Sequence, residues 1–363
     1  MSKEIALNDV TKKILSWMAD EQSKEIYLNR VLFEETLDYS YIQKTIDKYI
    51  PKYSDQKWFF VSEALEREMQ AYDRIIVAGA GGKGRILIKA LQNRGMTVEL
   101  CIDNFAKGDI CGVEICSPKN VNYENACVII SLSEKKPSEI IKKQLVELGV
   151  PVDSIIMLID FVSPAIEAHE IEYFDDDTII TYKEKEVFVD CGVLDFESSK
   201  NFYNCCCEHG VKDISIIAFE PDYHNYEISK AEAEKLRNKG VRVTLFQNGV
   251  WSENKELGFA SGNGGSSKIV SESEDTVSVV AMDSVVDEQV TYIKMDIEGA
   301  ELEALKGAKR IIKEYRPKLA ICIYHKPEDI VEIPLYIKEL VPDYNLYVRH
   351  YSNGIGELVL YAV

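Results

Sequence analysis

Apolar positions along this chain recur first at helical spacing and then, twice over, in strand-length runs separated by helical stretches. Over residues 1–72, Ile14, Leu15 and Met18, and later Leu32, Phe33 and Leu37, fall at helical spacing among charges. Pro51 interrupts this pattern, and Trp58, Phe59 and Phe60 are expected to anchor the region to its neighbours. The plain expectation is a helical cap or an oligomerisation element, the latter making the chain a homo-oligomer; no chemistry is visible here. Residues 73–160 then alternate strand and helix: strands over 74–78, 97–102, 128–132 and 154–158, with helices from Gly84 to about Gly95 and over 137–148. Residues 161–178, with Pro164 and the acidic run Asp175, Asp176 and Asp177, are expected to be a connection whose charges are solvated.

The alternation repeats more fully over 179–363. Strands are expected over 187–190, 214–220, 242–246, 291–295 and 318–324, with helices over 197–209, 222–239 and 300–308. A hairpin closes the chain, its arms at 344–350 and 357–362 turning through Ser352, Asn353 and Gly354. Residues 291–295 alternate polar and apolar as a strand does.

Composition narrows the partners. With 363 residues, 46% hydrophobic and 28% charged, the chain has the make-up of an ordinary globular protein of two to three domains. A net charge of −19 argues against nucleic acid, whose phosphates need a basic face. No apolar run reaches the length of a membrane span, and the start lacks a signal-peptide core, so a cytoplasmic location is expected. Nine cysteines include no C-x-x-C pair and read as reduced thiols. Cys205, Cys206 and Cys207 stand in an expected helix, where adjacent residues point different ways, and read as packing.

Candidate chemistry gathers where strands end, because ligands of open α/β sheets collect at the carboxyl ends of strands. The first expected strand of 73–160 runs into Gly79, Gly81 and Gly84, a G-x-G-x-x-G spacing at a strand–turn–helix junction, and Asp103 ends the next strand where a ribose-binding acid is expected. That site would hold a nucleotide, or be an empty scaffold; no group for hydride transfer stands beside it. In the second α/β stretch Asp190 and Gly192 follow the first strand, and Glu220 ends the second, followed by Pro221. Asp296 and Glu298 follow the 291–295 strand and lead through Gly299 into a helix; they are either site carboxylates or caps of that helix. His325 stands at the end of the next strand, the only one of five histidines so placed.

Several of these segments resemble the FkbM-type methyltransferases that use S-adenosylmethionine (SAM). Lys294, Asp296, Glu298, Gly299, Glu301, Leu305 and Gly307 match the family pattern K-x-D-[IV]-E-G-x-E-x-x-x-L-x-G. Ala218-Phe219-Glu220-Pro221-Asp222 is similar to its A-F-E-P-[DN], and Tyr324-His325-Lys326-Pro327-Glu328-Asp329 to its Y-H-K-P-E-D block. Ala281 to Val285 resembles its T-x-L-D-x-[LV] element, with Asp283 at the acid, and Gly264 to Ile269 its glycine–serine segment. One departure is plain: where relatives carry D-x-G-A-[NY]-x-G, this chain has Phe196 in place of the second glycine, which would crowd the donor or shift the helix start.

The resemblance, over about 180–363, implies a class I methyltransferase Rossmann-like fold, mainly parallel with a terminal antiparallel hairpin. A smaller Rossmann-like α/β domain (73–160) and a helical region (1–72) would precede it, and the methyltransferase domain would span 179–363. It implies SAM as cofactor, held by Asp190, Gly192, Glu220, Pro221 and Asp283. It implies O-methylation of a sugar, glycan or related small molecule, with His325, Asp296 and Glu298 as catalytic residues and Ser266 and Ser267 on the acceptor side. A divalent cation is not favoured. Residues 102–121, IDNFAKGDICGVEICSPKNV, resemble the small Rossmann-like domains attached to sugar-modifying enzymes, which adds two alternatives: a nucleotide-sugar oxidoreductase using Gly79–Gly84, or a non-catalytic glycan-assembly scaffold.

Overall fold

A computed structural model of the chain describes residues 8–53, 63–132, 134–162, 172–174, 178–261, 268–269 and 275–363. Trp58, Phe59, Phe60, Pro164, Asp175, Asp176, Asp177, Ser266 and Ser267 lie outside the described residues. Two compact units emerge: one of residues 1–27, 168–351 and 355–363, the other of residues 28–167 and 352–354.

Helices α1 (Asp9–Trp17), α2 (Glu21–Thr36), α3 (Ser40–Tyr49) and α4 (Glu63–Met69) form where the 3.6-residue apolar period predicts them. Asn8 starts α1 by accepting the Thr11 N–H on its side chain at 2.8 Å. In the unit of residues 28–167, strands β1 (Arg74–Ala78), β2 (Val98–Ile102), β3 (Gly108–Ile110), β4 (Val113–Cys116), β5 (Ala126–Ile130) and β6 (Ile155–Met157) form a sheet in the order β3-β4-β2-β1-β5-β6. All its pairings are parallel except β3 with β4, a short hairpin over 108–116 that the apolar period did not predict. Helices α5 (Gly82–Asn93) and α6 (Lys135–Glu147) complete the crossovers, and Ile76, Ile102, Val128, Ile130 and Leu145 pack its core.

The other unit carries a seven-stranded sheet of β7 (Lys185–Cys191), β8 (Asp213–Phe219), β9 (Arg242–Phe246), β14 (Tyr292–Met295), β15 (Lys318–Cys322), β16 (Leu346–His350) and β17 (Leu358–Ala362). Between β9 and β14 lies a separate sheet of β10 (Gly249–Val250), β11 (Lys255–Ala260), β12 (Lys268–Ile269) and β13 (Thr276–Val280). Helices α7 (Glu197–Glu208), α8 (Tyr223–Arg237), α9 (Met282–Val285), α10 (Glu301–Gly307), α11 (Lys309–Tyr315) and α12 (Asp329–Leu340) connect the strands. The large sheet runs β16-β17-β15-β14-β7-β8-β9, parallel throughout except β17, which inserts antiparallel between β15 and β16. The expected terminal hairpin is thus present. In front of its edge strand, the Ala19 N–H donates to the Leu346 carbonyl at 2.8 Å and Arg349 pairs with Asp20 at 2.8 Å, covering an otherwise open edge.

The expected strand is present as β14, and all four of its residues are buried, because a central parallel strand is covered on both faces. Its polar Lys294 is tolerated there through an ion pair with Asp190 on β7, Nζ to Oδ1 3.3 Å. The strand order reverses between these parallel strands: β7 leads on to β8 on one side and β14 to β15 on the other, which makes their carboxyl ends the topological switch point.

Candidate active site

The turn after β7 lies against β14. Gly192 adopts φ +80°, and a β-carbon there would fall 2.0 Å from the Asp296 carbonyl oxygen, so glycine is required both by conformation and by space. Beside this contact is a cavity of about 170 Å³ lined by Glu172, Tyr173, Phe174, residues 192–195, Glu197, Ser198, Asn201, Lys294 and Asp296. Glu172, Tyr173 and Phe174 belong to the stretch that sequence patterning reads as connection, yet all three are buried.

Asp190 does not line this cavity. Its carboxylate is wholly enclosed, accepting from the hydroxyls of Ser198 and Ser199 at 2.7 Å each and pairing with Lys294. Lys294 in turn donates to the Gly192 carbonyl at 2.8 Å and lies 5.4 Å over the Tyr173 ring. Burial pulls the ammonium pKa down, but the Asp190 and Asp296 charges outweigh it and hold Lys294 above its ordinary value. Together the pair locks the first turn onto β14.

Glu220 ends β8 and is nearly enclosed. Its carboxylate accepts from the backbone N–H of Leu194 at 3.0 Å and of Asp222 at 2.9 Å. Burial pushes its pKa up to about 7 against the opposing effect of those hydrogen bonds. Pro221 follows it ahead of α8, whose start is capped by the Asp222 carboxylate accepting the His224 N–H.

Phe196 keeps the left-handed backbone expected of the glycine it replaces, φ +69°, and its ring is fully buried. It is not among the cavity-lining residues, so the bulk is absorbed by the core and not by the cavity.

Asp296 is the carboxylate that opens onto the cavity, its side chain 27% exposed. Tyr173 donates to its Oδ2 at 3.2 Å, and the single hydroxyl proton of Tyr324 is shared between its Oδ1 at 3.4 Å and Glu357 Oε1 at 3.2 Å. Burial raises the Asp296 pKa, yet Lys294, His325 and Tyr173 bring it below the ordinary value. The helix-cap alternative for Asp296 and Glu298 does not materialise: Ala300 precedes α10 without a side-chain cap, and the next acid, Glu301, folds back to accept the N–H of Ile297 at 2.9 Å. Glu298 itself has a left-handed backbone, φ +54°, uncommon for a residue with a side chain.

His325 stands behind Asp296. Its Nε2 lies 3.4 Å from Asp296 Oδ1 and 3.9 Å from Glu298 Oε1, and its Nδ1 lies 2.9 Å from Glu301 Oε1. Burial disfavours the charged ring, but the surrounding carboxylates, Glu301 foremost, push its pKa up to about 9. Asp283 is placed elsewhere: its carboxylate accepts the N–H groups of Arg310 at 2.6 Å and Ile311 at 3.0 Å and caps α11.

Residues 190–344 match the Methyltransferase FkbM domain. The chain carries a methyltransferase FkbM domain. Its fold is similar to that of the Methyltransferase FkbM from Methylobacillus flagellatus KT, at 19% identity and a TM-score of 0.51 over 91% of this chain and 100% of that one. An rRNA methylase from Streptococcus thermophilus matches at 15% identity and TM-score 0.32, over 50% of this chain and 86% of that one. No curated protein matches the chain.

Sequence patterning of the FkbM domain found Asp296 and His325 but not the roles of Glu301, Tyr173 and Lys294. The motif glycines have structural work: a β-carbon at Gly307 would fall 1.9 Å from the Trp251 carbonyl oxygen. Outside the domain, Gly79 (φ +109°) and Gly84 pack against each other, a β-carbon at Gly84 falling 1.9 Å from the Gly79 carbonyl oxygen, while Gly81 has open space around it. Asp103 accepts N–H groups from Ala80, Phe105 and Ala106 at 2.9, 2.9 and 3.0 Å. A cavity of about 160 Å³ is lined by Gly79, Asp103, Phe105 and Gln144 among others.

Proposed function

We propose that this chain is a SAM-dependent O-methyltransferase acting on a hydroxyl of a sugar, glycan or related small molecule. The observation that carries the reading is the charge of the switch-point cavity: Glu172, Asp195, Glu197 and Asp296 line it, and the one cation among its described lining residues, Lys294, is paired with Asp190. Such a wall suits a ligand of net positive charge without phosphate, which is the chemistry of SAM. Gly192 permits the close backbone approach, and Glu220, at the end of β8 and outside the lining of this cavity, is proposed for the ribose hydroxyls beside the two backbone N–H groups it accepts. Asp190 acts through Lys294 to hold the turn.

When bound, the donor supplies an electrophilic methyl group on a sulfonium, so the reaction demands alignment more than covalent help. Asp296, exposed to the cavity and held by Tyr173 and Tyr324, is positioned to accept the hydrogen bond of the acceptor hydroxyl and then its proton. Glu298 and His325 stand beside it. Ser266 and Ser267 remain proposed for the acceptor side, and the cytoplasm for the compartment, the latter supported by nine free cysteines.

The oxidoreductase alternative has less support, since among the described residues lining the cavity beside Asp103 no group for hydride transfer can be picked out. Isothermal titration of the purified chain with SAM tests the main proposal. Saturable binding of one donor per chain is expected; no heat and no thermal shift would sink it. A parallel NADH fluorescence titration is expected to stay flat.

A further inference from the structure

His325, Asp296 and Glu301 each bring one ligand atom within 4.8 Å of the others. The imidazole is 8% exposed, and neither ring nitrogen has a hydrogen bond of good geometry. The two nitrogens face different surroundings. Nδ1 points at Glu301 Oε1, 2.9 Å away, an oxygen already anchored by the Ile297 N–H. Nε2 points at Asp296 Oδ1 and Glu298 Oε1, at 3.4 and 3.9 Å, too far for good hydrogen bonds.

A metal-binding histidine has one nitrogen on the ion and the other towards a carboxylate that fixes the ring, and here Nδ1 faces the Glu301 carboxylate at 2.9 Å while Nε2 faces Asp296 and Glu298. Ligands bonded at about 2.1 Å to a six-coordinate ion are separated by roughly 3 Å in adjacent positions and about 4.2 Å in opposite ones. The separations around Nε2 fall inside that span. Asp296 has the outer support that ligating carboxylates usually have, from the hydroxyls of Tyr173 and Tyr324.

We propose that Nε2 of His325, Asp296 and Glu298 form a binding site for one divalent cation of the manganese or magnesium class, with Glu301 orienting the imidazole. Two carboxylates and one imidazole, with positions left for water or a hydroxyl, suit these hard ions. The site departs from the expectation, implied by the family resemblance, that a divalent cation is not favoured; Asp283 takes no part in it, since that residue caps α11. Its chemical role rests on the methyl-transfer reading: an ion here would meet the acceptor hydroxyl beside Asp296 and ease its deprotonation.

The test is titration of the chelator-stripped full chain with manganese chloride, followed by electron paramagnetic resonance of free Mn²⁺. One saturable site is expected, displaced by magnesium. Asp296→Asn and His325→Ala should each abolish it, and Glu301→Gln should weaken it about 10- to 100-fold, while Asp283→Asn leaves it unchanged. Circular dichroism establishes that each variant is folded, and Glu298→Gln gives a milder second substitution. No stoichiometric binding by the folded wild-type chain, or undiminished binding by folded His325→Ala and Glu298→Gln, overturns the proposal. SAM calorimetry without metal is run alongside: donor binding with no manganese site sinks this inference alone, and a manganese site without donor binding sinks the methyl-transfer reading alone.

Discussion

Gly192 and Asp296 touch through their backbones: no β-carbon fits at Gly192, because it would fall 2.0 Å from the Asp296 carbonyl oxygen. The turn that follows β7 and the end of β14 are therefore one unit, and the proposed donor cradle cannot move independently of the acidic strand end. Gly192→Ala adds a left-handed alanine, at about 1–3 kcal/mol, to that clash. The variant is expected to lose SAM binding in calorimetry and to unfold at lower temperature. Unchanged donor affinity would show that the turn is not the cradle.

The Lys294–Asp190 pair makes a second, separable prediction. Removing one partner of a buried pair leaves the other uncompensated, at about 3–5 kcal/mol. Lys294→Met is expected to cost stability on this scale in urea unfolding. The double variant Lys294→Met with Asp190→Asn should recover much of the loss, since Ser198 and Ser199 still satisfy the amide. Additive losses in the double variant would mean that the pair contributes no coupling.

Phe196 separates backbone strain from packing. Deleting its buried ring should cost about 3–5 kcal/mol. The left-handed backbone distinguishes the two truncations, so Phe196→Gly should be roughly 1 kcal/mol more stable than Phe196→Ala. Chemical denaturation of the two variants decides it, and an alanine variant as stable as the glycine one would remove the strain argument.

Asp283 offers a check on the line between fold and site. Asp283→Ala removes the cap of α11 and should cost about 0.5–2 kcal/mol of stability. The donor affinity of the folded variant should stay within about twofold of the parent, a difference worth only ~0.4 kcal/mol. A selective loss of SAM binding would return this residue to the cofactor site.

What was legible in the sequence follows range of interaction. Asp296, Glu220 and His325 announce themselves because each ends a strand, and strand ends converge at the switch point of a parallel sheet. The terminal hairpin is visible from the turn at Ser352–Gly354, whereas the order of the strands emerges only from the fold. Tyr173 was not legible: it sits outside any periodic run and reaches Asp296 across 123 positions. Glu301 was visible only as a motif match, because its bond to the Ile297 N–H and its approach to His325 depend on how the Gly299 turn folds back. Lys294 was hidden by its own charge, since a lysine in a strand suggests an exposed face unless its buried partner is known. The bulk of Phe196 is plain in the sequence, but only the fold shows that the ring turns into the core.

Glu220 predicts opposite pH trends for stability and for donor binding. Its folded pKa of about 7 lies above the ordinary carboxylate value, so the folded state holds the proton more tightly than the unfolded chain does. Its contribution to stability is therefore complete below the unfolded pKa and lost as pH rises through about 7. Ribose hydroxyls donating to the carboxylate favour the ionised form, which makes donor binding tighten over the same window. Taking the pKa at about 7, roughly a tenth of the groups are ionised at pH 6 and nine-tenths at pH 8. SAM affinity is expected to improve by up to about tenfold between those values, while the unliganded protein loses stability relative to Glu220→Gln. Calorimetry at the two pH values, with Glu220→Gln as the non-titrating reference, measures both trends. An affinity that is as pH-dependent in Glu220→Gln as in the parent chain would exclude Glu220 as the ribose acceptor.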